Sequence, residues 1–155
     1  MMEPVTVRRA CAADIPALCR LEIECFSQPW SEKSFGDFFA LDYTIAYVAE
    51  ADGRIIGYAG MYLSFGDGEI TNVAVTREYR RRGAATALLD ALKGTAGVER
   101  LLLEVRESNS AARTLYRRFG FAEDGIRRGF YSDPREDAVL MSLDTLEERN
   151  ADIII

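Results

Sequence analysis

The chain has 155 residues, 48% hydrophobic and 28% charged, the proportions of one globular domain long enough to bury roughly two-thirds of its unfolded surface. It contains no histidine, which excludes Ser/His/Asp and Cys/His triads and most catalytic zinc sites, leaving a carboxylate, tyrosine, lysine or water as general base. The net charge of −6 argues against non-specific nucleic-acid binding and suits a cationic substrate; with no apolar run near the roughly 20 residues of a membrane helix and no signal-peptide core, the cytoplasm is the expected location.

In chain order, Val5–Arg9 alternates and predicts a first strand. A helix from Ala13 or Asp14 to about Phe26 follows, with Leu18, Leu21, Ile23 and Phe26 apolar. Cys11, Cys19 and Cys25 are assigned to this one early helical segment, have no paired spacing and read as small buried hydrophobes in a reducing compartment. After a break at Ser27-Gln28-Pro29, Ser31 is placed to cap a helix to about Ala40, with Trp30 and Phe35 as a hydrophobic staple. Tyr43–Glu50 and Arg54–Phe65 predict a hairpin closed by Ala51-Asp52-Gly53, and Gly66-Asp67-Gly68 a second turn. Glu69–Thr76 reads as a strand, Gly83–Lys93 as a helix, Arg100–Arg106 as a strand and Asn109–Phe119 as a helix. Two strands around Ser132-Asp133-Pro134 complete the order βααβββαβαββ. The fold class is α/β with a mixed sheet: the central strand-helix-strand unit is a parallel crossover, the hairpins are antiparallel, and a ligand crevice is expected at the carboxyl ends of the parallel strands.

The segment Val73–Leu92 joins a β-branched strand to an Arg/Gly/Ala turn and an Ala/Leu-rich helix. In Arg80-x-x-Gly83-x-Ala85, glycine permits close backbone approach and small residues leave the helix's first N–H groups accessible, a cradle for a pyrophosphate; the plainer reading is a helix start with a solvated basic rim. Arginines also cluster at Arg113–Arg118 and Arg127–Arg128, consistent with an anionic ligand or with a solvated surface. Asn109 and Tyr116, seven residues apart on a helix, share a face; the plainer reading is a helix cap and a half-buried aromatic beside Phe119 and Phe121. Glu104 interrupts the apolar strand Leu101–Val105, where a carboxylate is costly unless it is used or paired with Arg106 or a neighbouring arginine.

This element order, with Arg80-x-x-Gly83-x-Ala85 after Val73-Ala74-Val75, resembles the GNAT superfamily of acyl-CoA-dependent N-acetyltransferases from about Val5 to Leu143. The segments Cys25–Phe35, Ile70–Val75, Leu101–Phe121 and Arg127–Met141 are similar to the RimI branch, the ribosomal-protein-alanine N-acetyltransferases. The resemblance implies a single domain over residues 1–143, with 144–155 as a tail whose terminal isoleucines it does not explain. It implies acetyl-CoA as acyl donor without a metal, and as acceptor the N-terminal alanine of ribosomal small-subunit protein eighteen. Backbone around Val73 and Val75 would bind the pantetheine arm, Arg80, Arg82, Gly83, Ala84 and Ala85 the pyrophosphate, and Asn109 the cofactor arm. Glu104 would be the general base, with Glu69 second choice, and Tyr116 would protonate the departing thiolate. Trp30, with Phe26, Ser27 and Pro29, would wall an acceptor slot unless it serves only the staple; Tyr131 would hydrogen-bond the peptide, next to Phe130 where relatives often carry tyrosine.

Direct attack in a ternary complex is the expected chemistry, because the cysteines lie far along the chain from the cofactor segment and no histidine activates them. Another N-terminus, a lysine or a small amine as acceptor, and a non-catalytic acyl-CoA sensor, are the competing functions. A monomer that contacts neither nucleic acid nor membrane is the expectation.

Overall fold

The computed structural model describes residues 4–145; the isoleucine-rich tail from residue 146 lies outside the described residues. Strand β1 is Thr6–Arg9, followed by helices α1 (Ile15–Cys25) and α2 (Glu32–Ala40). Strands β2 (Thr44–Ala51), β3 (Arg54–Ser64) and β4 (Asp67–Val75) come next, then α3 (Ala84–Lys93), β5 (Arg100–Arg106), α4 (Ser110–Phe119), β6 (Ala122–Tyr131) and β7 (Glu136–Asp144). The order is the one predicted. Asp144 closes β7, one residue past the expected boundary at Leu143, and Thr145 is buried with its hydroxyl donating to the carbonyls of Val98 and Glu99.

One seven-stranded sheet runs β1-β2-β3-β4-β5-β7-β6, antiparallel except between β4 and β5. Helices cover both faces, giving two apolar clusters. Leu18, Leu21 and Phe35 of α1 and α2 pack on Val48, Tyr58 and Ala74. Leu88, Leu89 and Leu92 of α3, with Tyr116 of α4, pack on Ile56, Met61, Leu101, Leu103 and Val105 across the sheet. Strand alternation explains the division: Leu101, Leu103 and Val105 of β5 enter the larger core, which turns Leu102, Glu104 and Arg106 to the opposite face.

Local chemistry fixes the connections. Asp52 and Gly53, with φ of 53° and 74°, form the hairpin turn between β2 and β3, where Gly takes the left-handed conformation freely. The next turn differs from expectation: Phe65 and Gly66 carry the positive φ values and Asp67 already belongs to β4. Phe65 is fully exposed there, so its side chain gives no sign of a turn. Ser31 caps α2 by accepting from the Ser34 amide at 3.1 Å, and the Trp30 and Phe35 rings meet at 5.3 Å, the predicted cap and staple.

In α1 the predicted apolar face is corrected. Leu18 and Leu21 are buried, but Ile23 is 71% exposed and Glu22 is 0% exposed. Glu22 continues the stripe Ile15, Leu18, Cys19 at helical spacing, so burial follows position on the helix and not side-chain type. The three cysteines are free, as expected, but their burial is corrected: Cys11 is exposed before the first helical turn, and Cys19 and Cys25 are only half-buried.

Candidate active site

Strands β4 and β5 pair over three residues only, Asp67 with Arg100, Gly68 with Leu101 and Glu69 with Leu102, then separate. A β-bulge in β4 lies beside the separation: Gly60 faces Asn72 while Met61 faces Ile70, so Thr71 is the extra residue. The bulge changes the strand's parity. Ile70, Val73 and Val75 thereby share the α3 face, and the Asn72 amide is turned to α1.

The separated strands open a cleft of about 770 Å³. Into it come Glu69, Asn72 and Val73 from β4, Glu104 and Arg106 from β5, and Asn109, Ala112 and Tyr116 from the start and one face of α4. Phe26 and Trp30 wall it from the α1–α2 connection, and Arg127, Phe130 and Tyr131 from β6. Seven of the residues singled out in the sequence, Trp30, Glu69, Val73, Glu104, Asn109, Tyr116 and Tyr131, therefore share one cavity. Val75, Arg80, Arg82, Gly83, Ala84 and Ala85 lie outside its lining, toward the α3 N-terminus.

That terminus is built for an anion. Gly83 has φ 84° and a Cβ on it would stand in open space, so no protein atom fills the cradle. No side chain caps α3 and its first turn carries no acid, leaving N–H groups and the positive end of the helix dipole available. Arg80 is fixed at the strand end: its Nε donates to the Val75 carbonyl at 2.9 Å and its Nη2 to Cys25 Sγ at 3.4 Å. Arg82 lies 5.2 Å from the centroid of the Tyr79 ring, whose hydroxyl donates to Asp52. Cys25, remote in sequence, is thus beside the cradle. Burial pushes its thiol pKa up, with Arg80 opposing, so it is a poor thiolate nucleophile. The other arginine clusters do not converge on an anion site: Arg113 and Arg117 pair with Glu123, and Arg127 pairs with Glu104.

Within the cleft the plain readings of Asn109, Tyr116 and Glu104 as cap, packed aromatic and paired carboxylate are all observed. Asn109 caps α4, its side-chain oxygen accepting from the Ala112 amide at 3.2 Å. Tyr116 is 9% exposed and packs edge-on against Phe121, ring centroids 5.7 Å apart. Burial raises its pKa to about 12, with Tyr131 adding to the rise, so the phenol keeps its proton. Glu104 is one-third exposed and meets the Arg127 guanidinium at 3.2 Å, so its partner is an arginine of β6 and not Arg106. Glu69 lines the cleft across from it.

Arg106, not singled out as a site residue in the sequence, organises the side of the cleft formed by the β6–β7 hairpin. Its guanidinium donates to the carbonyls of Pro134 and Ser132 at 2.9 and 3.1 Å, pairs with Glu136, and lies 4.5 Å from the Tyr131 ring centroid. Glu136 in turn accepts from the Ser108 amide, and hydrogen bonding from Ser108, its side chain first and its backbone second, lowers the Glu136 pKa. Tyr131 is held between Arg106 and Phe130, and burial lifts its pKa to about 12, the Glu104 charge adding and Arg106 opposing. Phe130 gives the cleft an apolar wall and receives Arg127 at 5.2 Å. The sequence offers Arg106 only as a partner for Glu104 and Arg127 only as part of a basic cluster, because the contacts that define each come from a segment distant along the chain. Among the described residues no His/Cys/Asp/Glu group could hold a metal, and no helix is long and apolar enough to cross a membrane.

The family description "Acetyltransferase (GNAT) family" matches residues 15–121. The chain is 37% identical over 135 residues to the Escherichia coli K12 [ribosomal protein bS18]-alanine N-acetyltransferase, covering 84% of this chain and 90% of that one. The crystal structure of the Escherichia coli ribosomal-protein-S18-alanine N-acetyltransferase superimposes with a TM-score of 0.84 at 34% identity, over 92% and 94% of the two chains. Arabidopsis thaliana NAA60 in complex with acetyl-CoA shares the fold, with a TM-score of 0.81 at 19% identity over 91% and 99%. The cleft between diverging strands, the uncapped α3 terminus and these similarities lead to one assignment: the chain belongs to the GNAT family of acetyltransferases.

Proposed function

We propose that this N-acetyltransferase moves an acetyl group from acetyl-CoA to a protein N-terminal α-amine, the N-terminal alanine of ribosomal small-subunit protein eighteen being the favoured acceptor. The carrying observation is one cleft that brings Glu104 and Tyr116 from different elements to the place where β4 and β5 part. The donor fits: β4 leaves its neighbour after Glu69, so backbone near Val73 is free to pair with the amides of a pantetheine arm, and the α3 terminus suits a pyrophosphate. Acetyl-CoA supplies a thioester carbonyl and a thiolate leaving group.

Glu104 accepts a proton from the incoming ammonium, directly or through water. An α-amine of pKa about 7.7–8.0 needs only such modest help, whereas a lysine near 10.4 needs far more. Arg127 pairs with the Glu104 carboxylate at 3.2 Å beside the cleft and orients it. Tyr116 donates its retained proton to the leaving sulfur, and the aromatic wall of Phe26, Trp30 and Phe130 suits a small first residue. Glu69 is the alternative base, and the cytoplasm is the compartment where this substrate is met.

Mass-spectrometric detection of transfer to three peptides tests the reading: one alanine-first, one beginning with another residue, one N-blocked with an internal lysine. Acetylation confined to the alanine-first peptide is the expected result. Transfer to the lysine peptide moves the acceptor class, and no transfer with acetyl-CoA bound refutes the assignment of an α-amine acceptor.

A further inference from the structure

The largest polar investment outside the reacting groups is Glu22. It is 0% exposed in the last turns of α1, and both oxygens are used. One accepts from the Trp30 backbone N–H at 2.8 Å; the other accepts from the Tyr58 hydroxyl at 2.5 Å and the Asn72 amide at 3.0 Å. Burial pushes the Glu22 pKa up and these three hydrogen bonds oppose it. A carboxylate in such a place is costly unless every lone pair is matched, and here the three donors come from three different parts of the chain.

Two of those donors belong to residues that line the cleft, Trp30 and Asn72. Trp30 opens the wall formed by the α1–α2 connection, and Asn72 sits at the β4 bulge where the strands part. The third, Tyr58 on β3, lies in the buried floor under both. Glu22 therefore sets the width between the aromatic wall and the bulged strand. The cofactor cradle is tied to α1 by other groups: Glu24 accepts from the Thr76 hydroxyl and the Arg77 amide, and Cys25 receives Arg80.

We infer that Glu22 is a positioning residue for the acceptor amine: through Trp30 and Asn72 it fixes the acceptor half of the cleft and leaves the cofactor half unaffected. The inference rests on the acetyltransferase reading above, and its test separates the two. In Glu22→Met the side chain keeps its length but leaves three donors unmatched. The KM for the alanine-first peptide is expected to rise about tenfold or more, with the KM for acetyl-CoA within about twofold. The protein has one tryptophan, so acrylamide quenching of its fluorescence reads the wall directly and is expected to increase. Glu22→Gln should restore most of both, because the Asn72 amide and Tyr58 hydroxyl can rotate to accept from the new NH2 group.

Tyr58→Phe is the stability control: it removes the hydroxyl that donates to Glu22 and accepts from the Asn72 amide at 3.3 Å, but leaves the links of Glu22 itself to Trp30 and Asn72, so melting is expected to drop while the acceptor KM stays within about twofold. If Glu22→Met does not fold, Asn72→Ala replaces it with the same expected split between the two KM values. Equal rises in both KM values, an acceptor KM raised as much by Tyr58→Phe, or unchanged Trp30 quenching overturns the inference. Should the wild type acetylate none of the peptides, the acceptor reading falls, and Glu22 is judged by Trp30 quenching alone.

Discussion

The two halves of the cleft are built by different means. On the side proposed for acetyl-CoA, which runs from the cleft to the α3 terminus beyond its lining, the parts are contiguous in sequence: β4 from Val73 on, the turn through Arg80 and Arg82, and the N-terminus of α3. They present mainly backbone: N–H groups at a helix end and the edge of β4 that β5 leaves unpaired beyond Glu69. On the acceptor side the parts come from α1, β5, α4 and the β6–β7 hairpin, and they are held by side chains: Glu22 under Trp30, Arg106 under Tyr131, Arg127 against Glu104. Backbone recognition of a donor common to a family needs little from side chains, whereas choosing one acceptor requires them. Substitutions should therefore divide by half, each raising one KM and sparing the other, with Glu104 and Tyr116, the two groups proposed to react, between.

The largest expected effect is on chemistry itself. Glu104→Gln keeps shape and hydrogen bonding but cannot take a proton, so kcat should drop about 10²–10³-fold at neutral pH while acetyl-CoA binding, followed calorimetrically, is unchanged. If activity survives and Glu69→Gln abolishes it, the base lies on β4 and the geometry of the cleft is read from the wrong wall. Tyr116→Phe comes next. A thiol is an easy leaving group, so loss of the phenol proton should cost kcat about tenfold to a hundredfold, below the full range for acid catalysis. Both KM values should hold, because Tyr116 keeps its packing on Phe121 through the ring. A rise in acetyl-CoA KM equal to the fall in kcat would make Tyr116 a binding group.

Gly83→Ala addresses the cofactor half alone. At φ 84° a Cβ strains the backbone by about 1–2 kcal/mol, and it points into the space assigned to the ligand. Acetyl-CoA KM should rise about fivefold to tenfold with acceptor KM unchanged in steady-state kinetics, the mirror image of the Glu22→Met result. A variant that loses thermal stability but binds acetyl-CoA normally would remove the cradle from the α3 terminus.

The same division governs what the sequence discloses. Element order, the caps and the cradle are set by residues within a few positions of one another, so periodicity and turn chemistry reveal them: Ser31 caps α2 and Asp52-Gly53 turns the hairpin as read. The cleft's main candidates were legible because Asn109 and Tyr116 are one helix face and Glu104 breaks an apolar strand. The acceptor supports were not. The bulge at Thr71 changes which residues of β4 share a face, and no local signal marks it. Glu22 falls on the buried stripe of α1, yet an acid there reads as an exposed one until Trp30, Tyr58 and Asn72 are brought to it. Cys25, 55 positions before Arg80, touches it through the same long-range packing.

The smallest effect separates the halves by proton affinity. Tyr116 and Tyr131 both hold their protons to about pH 12, against an ordinary phenol near 10, chiefly because each is withdrawn from water. The folded protein thus binds these protons more tightly than the unfolded chain. Below pH about 10 both states carry them and the contribution to stability is constant; between about 10 and 12 the unfolded chain ionises first and stability declines. Absorbance titration of phenolate, with Tyr116→Phe and Tyr131→Phe to assign the signals, should show both ionising late. Removing Tyr131 should lower the Tyr116 value slightly, since a neighbouring phenolate disfavours a second. The acid function of Tyr116 should then persist throughout the range where the amine is reactive. A Tyr116 that ionised near pH 10 would mean that water reaches the leaving-group side of the free cleft, and the aromatic packing on Phe121 would have to be credited with less exclusion than its burial implies.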